Sequence, residues 1–284
     1  MIQKTKSNLV LTVALVTVST GLVFGQQSIS KEISGDGLHV LLVANIFGNV
    51  TIQGSNTSKI LVSGEQSLKA TTSEAELAVK YEKMGDTLAI YIQSPCNLFT
   101  LRRDKDKNDW GYYKWVEDCR FKDELHVDFK ITVPQNTEVV ASTINSGDIK
   151  VHGVKENVIA RNINGGIEIE GPIISLARTI NGDVKLDFLT NPVQAGEYYT
   201  LNGDIQATFS QRLDAELTFE SFNGDFYTNS KDMTILPTPV QKSEDRDGFF
   251  LKIGGTSEMR IGNGGALLDF ETFNGDVIVK INSL

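Results

Sequence analysis

Apolar and polar residues alternate with a period of two along much of this chain. The alternation is clear in four N-terminal segments, 38–54, 59–64, 77–83 and 87–93. Such a pattern is typical of β-strands that bury one face. The helical signal is weak, a capping box formed by Ser73 and Glu76. The pattern therefore predicts an all-β protein with very little helix.

The second half of the chain repeats one phrase: an apolar residue, Asn-Gly-Asp and then alternating apolar residues. Successive copies are 17, 21, 21 and 51 residues apart and begin at Asn164, Asn181, Asn202, Asn223 and Asn274. The first copy reads Asn-Gly-Gly, and a stretched copy lies at 143–153. A repeat of about 20 residues indicates one structural unit used several times.

Asn-Gly is a strong turn signal because both residues tolerate a positive φ. Hairpin meanders place such turns about every 8–12 residues, whereas this longer spacing favours coils that each stack on the preceding one. We predict a single-stranded β-solenoid, or β-helix, with a sandwich of stacked hairpins as the alternative. The predicted structural turns are Asn164, Asn181, Gly182, Asp183, Asn202, Gly203, Asp204, Asn223, Gly224, Asp225, Asn274, Gly275 and Asp276.

Stacked coils would place equivalent side chains above one another, with the asparagines in an amide ladder and the aspartates in a row. A row of carboxylates also fits Ca²⁺. However, Gly166 replaces the aspartate in one unit, and the nonapeptide of calcium-binding β-rolls is missing. We interpret the phrase as structural and predict no metal site and no cofactor.

The first 25 residues have the composition of a signal peptide. Lys4 and Lys6 precede an apolar run at 9–24, and Val23, Phe24 and Gly25 give a cleavage site at its end. A retained membrane anchor is the alternative. The expected organisation is a leader at 1–25, a strand-rich start of the solenoid at 26–140, and the repeats at 141–284 with an inserted exposed loop at 229–248.

Export places the two cysteines, Cys96 and Cys119, in an oxidising compartment, where they are expected to form one disulfide. A metal or redox site is the alternative. The formal net charge is −9 and becomes more negative without the leader lysines. That charge argues against nucleic acid and anionic lipid as partners. Nothing beyond the leader is long and apolar enough to span a bilayer.

Three segments resemble a known family: "VANIFGNVTIQG", "DFKITVPQNTEVVASTINSGDIKVHGV" and "GNGGALLDFETFNGDVIVKI". They are similar, in the same order, to the bacterial putative-adhesin family of β-strand-repeat proteins. The resemblance implies a β-solenoid on an exported bacterial protein. It implies no established activity and no catalytic residues. The segment between the cysteines is not part of the family pattern.

The segment between the cysteines is rich in aromatic residues, with Trp110, Tyr112, Tyr113 and Trp115 close together and basic residues before them. Aromatic faces beside charged groups bind sugars or anchor a protein partner. The alternative is that these rings pack over the disulfide or cover an end of the solenoid. We name the four residues as a possible recognition surface.

Catalytic signatures are missing from the sequence. His39, His126 and His152 lie far apart and read as ordinary strand residues, and there is no nucleophile elbow or phosphate loop. Pairs among Asp148, Asp183 and Asp204 have no specific spacing for glycoside hydrolysis.

We therefore predict an exported, non-enzymatic, adhesin-like binding or scaffold protein of the bacterial cell envelope. Its partner would be a protein or glycan of unknown identity, and its location periplasmic, outer-surface or secreted. Two alternatives remain: a polysaccharide-acting β-helix enzyme and a periplasmic signalling accessory.

Overall fold

The computed structural model describes most of the chain after the expected leader. The described ranges are 27–69, 77–95, 97–104, 109–115, 124–209, 212–237, 240–245, 248–253 and 257–282. Within these ranges the regular elements are β-strands and there is no helix. The described residues therefore contain no helix that could span a membrane. The leader, the capping box at 73–76 and both cysteines lie outside the described residues.

The described residues form 25 strands. In chain order they are β1 (Gln27–Ser34), β2 (Val40–Ala44), β3 (Val50–Ser55), β4 (Lys59–Lys69), β5 (Ala78–Met84), β6 (Thr87–Gln93), β7 (Asn97–Asp104), β8 (Asp109–Trp115), β9 (Glu124–Pro134), β10 (Glu138–Ser142), β11 (Ile149–His152), β12 (Val158–Arg161), β13 (Ile167–Gly171), β14 (Ile174–Asn181), β15 (Val184–Phe188), β16 (Gly196–Asn202), β17 (Ile205–Phe209), β18 (Ala215–Asn223), β19 (Phe226–Thr228), β20 (Met233–Ile235), β21 (Val240–Asp245), β22 (Gly248–Ile253), β23 (Ser257–Ile261), β24 (Ala266–Asn274) and β25 (Val277–Ile281).

These strands form two large mixed sheets and two hairpins. Sheet A has the order β1-β4-β9-β3-β11-β13-β15-β17-β25-β19, and sheet B has the order β20-β23-β18-β24-β16-β14-β12-β10-β2-β6-β5. The hairpins are β7–β8 and β21–β22. The strands at the centre of both sheets are parallel, and antiparallel strands are added at the ends.

A strand of sheet B followed by a strand of sheet A makes a unit that we call a layer. In chain order the layers are β2–β3, β6–β9, β10–β11, β12–β13, β14–β15, β16–β17, β18–β19 and β24–β25. Neighbouring layers pair in parallel and in register, so that Val184 lies opposite Ile205 and Leu186 opposite Ala207. The predicted N-terminal part and the repeats thus contribute to the same two sheets.

The order of the layers in space differs from their order in the chain. The first layer, β2–β3, lies between β6–β9 and β10–β11, and the last layer, β24–β25, lies between β16–β17 and β18–β19. The expectation that each repeat stacks on the preceding one is therefore wrong at both ends. The outermost layers carry antiparallel strands on three of their four outer edges, β4, β5 and β23. The sheets therefore end at β1 and β19 in sheet A and at β20 and β5 in sheet B.

The core lies between the two sheets, and central strands such as β13, β15 and β17 fill it with every second residue. In β15 and β17 the inward residues end in Phe188 and Phe209, whose rings stack 4.7 Å apart. Tyr198 is also buried there, and its hydroxyl donates to the Ile174 carbonyl at 2.8 Å. Burial raises the pKa of this phenol far above its ordinary value. The buried hydroxyl keeps its hydrogen-bond partner, as burial of a polar group requires.

The segment predicted as an inserted loop at 229–248 contains strands. β20 pairs with β23 at the end of sheet B, and β21 begins a hairpin with β22. Pro237 lies just beyond β20. Proline ends a strand without preventing the short alternating segment before it from pairing.

Candidate functional site: the repeated corner

Each copy of the Asn-Gly-Asp phrase turns the chain from sheet B into sheet A. In the β14–β15 layer Asn181 ends β14, Gly182 and Asp183 make the corner, and Val184 begins β15. Gly182 has a φ of +155°, and a Cβ there would overlap the carbonyl of Gly165 in the layer below. The described asparagines of the phrase do not have a positive φ. The phrase is thus a corner between sheets and not a hairpin turn.

The asparagine side chains form a continuous amide ladder across six layers. Each Nδ2 donates to the Oδ1 of its neighbour at 2.8–3.0 Å. In spatial order the rungs are Asn145, Asn164, Asn181, Asn202, Asn274 and Asn223. Asn274 therefore separates Asn202 from Asn223, because the last layer is inserted between theirs. Beyond Asn145 the position is occupied by Phe47, whose ring stacks on His126.

The aspartate side chains stabilise the same corner through backbone hydrogen bonds. Asp183 Oδ1 accepts from the Asp204 N–H at 3.0 Å, and Asp204 Oδ1 accepts from the Asp276 N–H at 2.9 Å. Asp276 Oδ1 accepts in turn from Asp225 N–H at 2.9 Å. At the other end Asp148 Oδ1 accepts from Gly166 N–H at 2.8 Å. One oxygen of each acceptor carboxylate is thereby engaged in holding neighbouring layers.

Asn49 and Asp128 continue the aspartate row and were missed in the sequence. Asn49 Oδ1 accepts from the Asp148 N–H, and Asp128 Oδ1 accepts from both the backbone and the side-chain N–H of Asn49. The signal was present as the "FGN" of residues 47–49, a variant of the repeated phrase. No group of three or more histidine, cysteine, aspartate or glutamate side chains is placed to hold a metal ion within the described residues.

A buried threonine precedes the apolar residue of the phrase. Thr179 Oγ1 donates to the Gly165 carbonyl and Thr200 Oγ1 to the Gly182 carbonyl, both at 2.8 Å. Thr272 makes the equivalent bond to Gly203 at 3.2 Å. The inward position faces a carbonyl of the layer below, so a hydroxyl satisfies it better than an apolar side chain.

In five copies of the phrase, the apolar residue directly before the asparagine points to the outside. We call these side chains the apolar ridge, and in spatial order they are Ile163, Ile180, Leu201, Phe273 and Phe222. The exposed fraction is 4% at the equivalent Ile46, 38% at Ile163 and 36% at Ile180, and it is highest at the two phenylalanines, 44% for Phe273 and 73% for Phe222. The alternating pattern predicts that the apolar residues of the phrase share one buried face. This prediction is wrong for the ridge residues, which lie on the outer side.

A groove on the outer face of sheet A runs beside the aspartate row. It has a volume of about 590 Å³ and is lined by residues of β1, β3, β4, β9 and β11, among them Asp128, Lys130 and Lys150. Lys150 also pairs with Glu168 at 3.1 Å, and His152 lies 3.7 Å from the same carboxylate. The groove offers both charges to solvent and is shallow.

The aromatic segment forms the hairpin β7–β8, which lies against β6 and β2 on the outer face of sheet B. The outward side chains beneath it form a second buried apolar cluster: Val40, Leu42, Ala44, Ala89, Val140 and Ile159. Phe99 of the hairpin stacks on Tyr91 at 4.5 Å. The hairpin as a whole therefore covers a sheet face. Trp110, Tyr112, Tyr113 and Trp115 lie on β8, and their part in recognition stays a prediction.

Charge changes along the outer face of sheet B towards the C-terminal layers. Arg161 and Arg178 occupy one row, and Arg178 lies over the Tyr199 ring at 4.3 Å. The next two residues of that row are Glu271 and Glu220. Burial raises the pKa of Glu271 above its ordinary value, and the nearby Glu220 and Asp269 carboxylates add to the rise.

Solved structures similar to this chain include two bacterial proteins. One is a putative cell adhesion protein from Clostridium sporogenes, 12% identical, covering 91% of this chain and 100% of its own, with a TM-score of 0.45. Another is a putative adhesin from Bacteroides fragilis, 12% identical, covering 92% and 100%, with a TM-score of 0.26. No protein-family model and no curated protein matches the chain. Both TM-scores are below 0.5.

Proposed function

We propose that this chain is an exported, non-enzymatic, adhesin-like binding or scaffold protein of the bacterial cell envelope. The observation that carries the proposal is the use of the repeated polar side chains. Asparagine, threonine and aspartate of each corner bond to the neighbouring layer, so the groups best suited to chemistry hold the architecture together. What remains for function is the long outer surface.

The proposal includes the architecture of a single β-solenoid. It is supported by consecutive strands that alternate between sheets B and A and by parallel, in-register pairing of equivalent residues. Removal of one whole repeat tests it. Deletion of residues 182–202, which joins Asn181 to Gly203, preserves the register of the corner, so a cooperative unfolding transition is expected. Deletion of 182–191 shifts the register and should abolish that transition; equal behaviour of both variants would contradict the solenoid.

Export and envelope location rest on the predicted leader at 1–25 and the resemblance to the adhesin family. Fractionation of cells that express the full chain tests this part. The protein should be found outside the cytoplasm without residues 1–25. A full-length protein retained in the cytoplasm would overturn the location.

The binding role is tested with purified protein on isolated envelope material, a glycan array and a panel of polysaccharides. Saturable binding without release of reducing or unsaturated ends is the expected result. Release of such ends, if lost with carboxylates of the sheet A groove, would show the polysaccharide-acting alternative instead. Absence of saturable binding to any of these materials would contradict the binding role.

A further inference from the structure

The last two layers in space carry hexapeptides that differ at one position, Ser221 in one and Thr272 in the other. "ESFNGD" at 220–225 and "ETFNGD" at 271–276 are 51 residues apart in the sequence, but β18 and β24 place them side by side in register. The rings of Phe222 and Phe273 lie 4.8 Å apart and nearly parallel, at 4°. Phe222 is 73% and Phe273 44% exposed. The pair forms a two-ring aromatic surface at the open end of the apolar ridge.

Carboxylates flank this aromatic surface on both sides. Glu220 and Glu271 precede the two phenylalanines on the outward face of sheet B, and Asp225 and Asp276 follow them at the start of sheet A. The clustered negative charge raises the pKa values of two groups at this surface. The pKa of Glu271 is raised by burial and, in addition, by the Glu220 carboxylate. The pKa of the exposed Tyr227 phenol is raised chiefly by Asp276 and then by Asp225.

We propose that this surface, formed by Phe222, Phe273, Glu220, Glu271, Asp225 and Asp276, docks a basic peptide segment of a partner protein. Lysine or arginine side chains of the segment lie over the phenyl rings, whose negative faces attract cations. Their charges pair with the carboxylates on either side. This inference rests on the proposed binding function and names the class of partner.

Charge complementarity selects this occupant over the others. A second copy of the chain carries the same net charge of −9 and the same carboxylates, so self-association at this surface is opposed. A neutral sugar can stack on the rings and donate hydroxyl hydrogen bonds to the carboxylates, but it neutralises none of the four charges. An anionic ligand is repelled. A cationic segment uses both the rings and the carboxylates.

The position of the surface keeps it accessible. At the other end of the stack the outer face of sheet B is covered by the β7–β8 hairpin, and Ile46 is buried. At this end the corresponding side chains are the most exposed of the ridge. Arg260 donates to Glu216 at 2.7 Å. Arg178 lies over Tyr199 and also interacts with Glu271, but its effect on the pKa of Glu271 is smaller than that of burial and the nearby carboxylates.

The test uses a fluorescein-labelled peptide of alternating arginine and glycine, titrated with the full chain and followed by fluorescence anisotropy. F222L/F273L keeps apolar side chains and net charge but removes the aromatic faces, and binding should weaken about tenfold. The matched control I163L/I180L, on the same ridge but away from the carboxylates, should bind as the wild type does. Circular dichroism melting checks that both double variants are folded.

A second pair of variants distinguishes pairing with the carboxylates of this surface from general attraction to the negative charge of the protein. E220Q/E271Q should weaken the peptide by a similar factor and lower the salt dependence of binding. E168Q/E170Q removes the same charge from sheet A and should have little effect. Equal binding by wild type and F222L/F273L, or equal losses from both glutamine pairs, would overturn the proposal, since only general attraction to an acidic protein would remain.

Two further outcomes distinguish this proposal from the proposed function. If maltohexaose binds in a Phe222- and Phe273-dependent way and the arginine peptide does not, the surface is a sugar platform and the peptide assignment is wrong. If the double phenylalanine variant binds both envelope material and peptide as the wild type does, the docking surface fails while the binding function stands. Absence of envelope binding by the wild type contradicts the function whatever the peptide does.

Discussion

Ile46 in the β2–β3 layer and Phe222 in the β18–β19 layer occupy the same position of the repeated corner, but their surroundings differ. Ile46 is buried, and next to it Asn45 Nδ2 donates to three carbonyls, those of Phe47, Gly48 and Val127, at 2.9–3.0 Å. Phe222 is exposed, and the neighbouring Ser221 makes one long bond of 3.4 Å to Gly275. At this position of the corner, the buried side chain at the covered end makes more and shorter hydrogen bonds than the side chain at the open end.

The same difference extends to the other positions of the corner. At the covered end the asparagine rung is replaced by Phe47 and the aspartate by Asn49, which bonds to layers on both sides. At the open end the rungs and aspartates are present, with phenylalanines and glutamates outside them. One repeated backbone geometry thus supports packing at one end and an available surface at the other.

The largest expected effect comes from breaking what both ends share, the close approach of the corner glycines. Gly203 has a φ of +152°, and a Cβ there would overlap the Gly182 carbonyl. Gly203→Ala should destabilise the protein by about 3 kcal/mol or more, measured by urea unfolding. Gly171→Ala, where a Cβ meets ordinary packing distances, is the control and should change stability by less than about 1 kcal/mol. Similar effects of the two would contradict the close-approach argument.

A smaller effect separates the two ends directly. Asn45→Ala removes the two N–H groups that these three carbonyls share at a fully buried position, together with a buried Oδ1 that has no hydrogen-bond partner, and should lower the free energy of unfolding by about 2 kcal/mol. Ser221→Ala removes one long bond at the open end and should lower it by less than about 0.5 kcal/mol. The ratio of the two values is the measurement. A larger loss for Ser221→Ala would reverse the comparison.

The amide ladder predicts a graded effect within the repeats. Asn202→Ala breaks the bonds to Asn181 and Asn274 and should lower the free energy of unfolding by about 1–2 kcal/mol. Asn223→Ala breaks the single bond to Asn274 at the end of the ladder, with about half that loss. Thermal and urea unfolding of both variants give the values. Equal losses would indicate that the rungs do not act through their side-chain bonds.

The smallest effect concerns the charge at the open end. Because the pKa of Glu271 is raised in the folded state, its contribution favours folding below the unfolded-state pKa and is lost as pH rises through the folded pKa. Glu271→Gln should therefore stabilise the protein at neutral pH, by only a few tenths of a kcal/mol (about 0.3) because solvent screens the group, and flatten the acid side of the stability profile. Glu170→Gln is the control. A destabilising Glu271→Gln would show that neighbouring cations dominate there.

Much of the fold was predictable because the repeat is local. The alternation of Val184, Leu186 and Phe188 predicts an inward strand face, and the spacing of Asn181 and Asn202 predicts equivalent corners. The outward position of Ile180 was not predictable from alternation, because the inward neighbour is Thr179, whose hydroxyl satisfies a carbonyl supplied by another layer. A reading based on hydrophobicity assigns these two residues to the wrong sides.

The candidate docking surface depends on contacts between distant parts of the chain. The phrases at 220–225 and 271–276 are recognisable as copies of each other. Their local sequence does not predict that they lie side by side in the structure. The layer β24–β25 enters between β16–β17 and β18–β19, and only that placement stacks Phe222 on Phe273 and aligns Glu220 with Glu271.

The amino-acid sequence by itself determined the strands and the chemistry of each corner, because side-chain alternation and the Asn-Gly-Asp phrase act over a few residues. The tertiary structure decided the order of the layers, the side on which each apolar corner residue lies, and which end is covered. These features depend on which strand each strand pairs with and on which carbonyl group accepts a hydrogen bond from each side chain. Such partners lie tens of residues away, and local patterns carry no information about them.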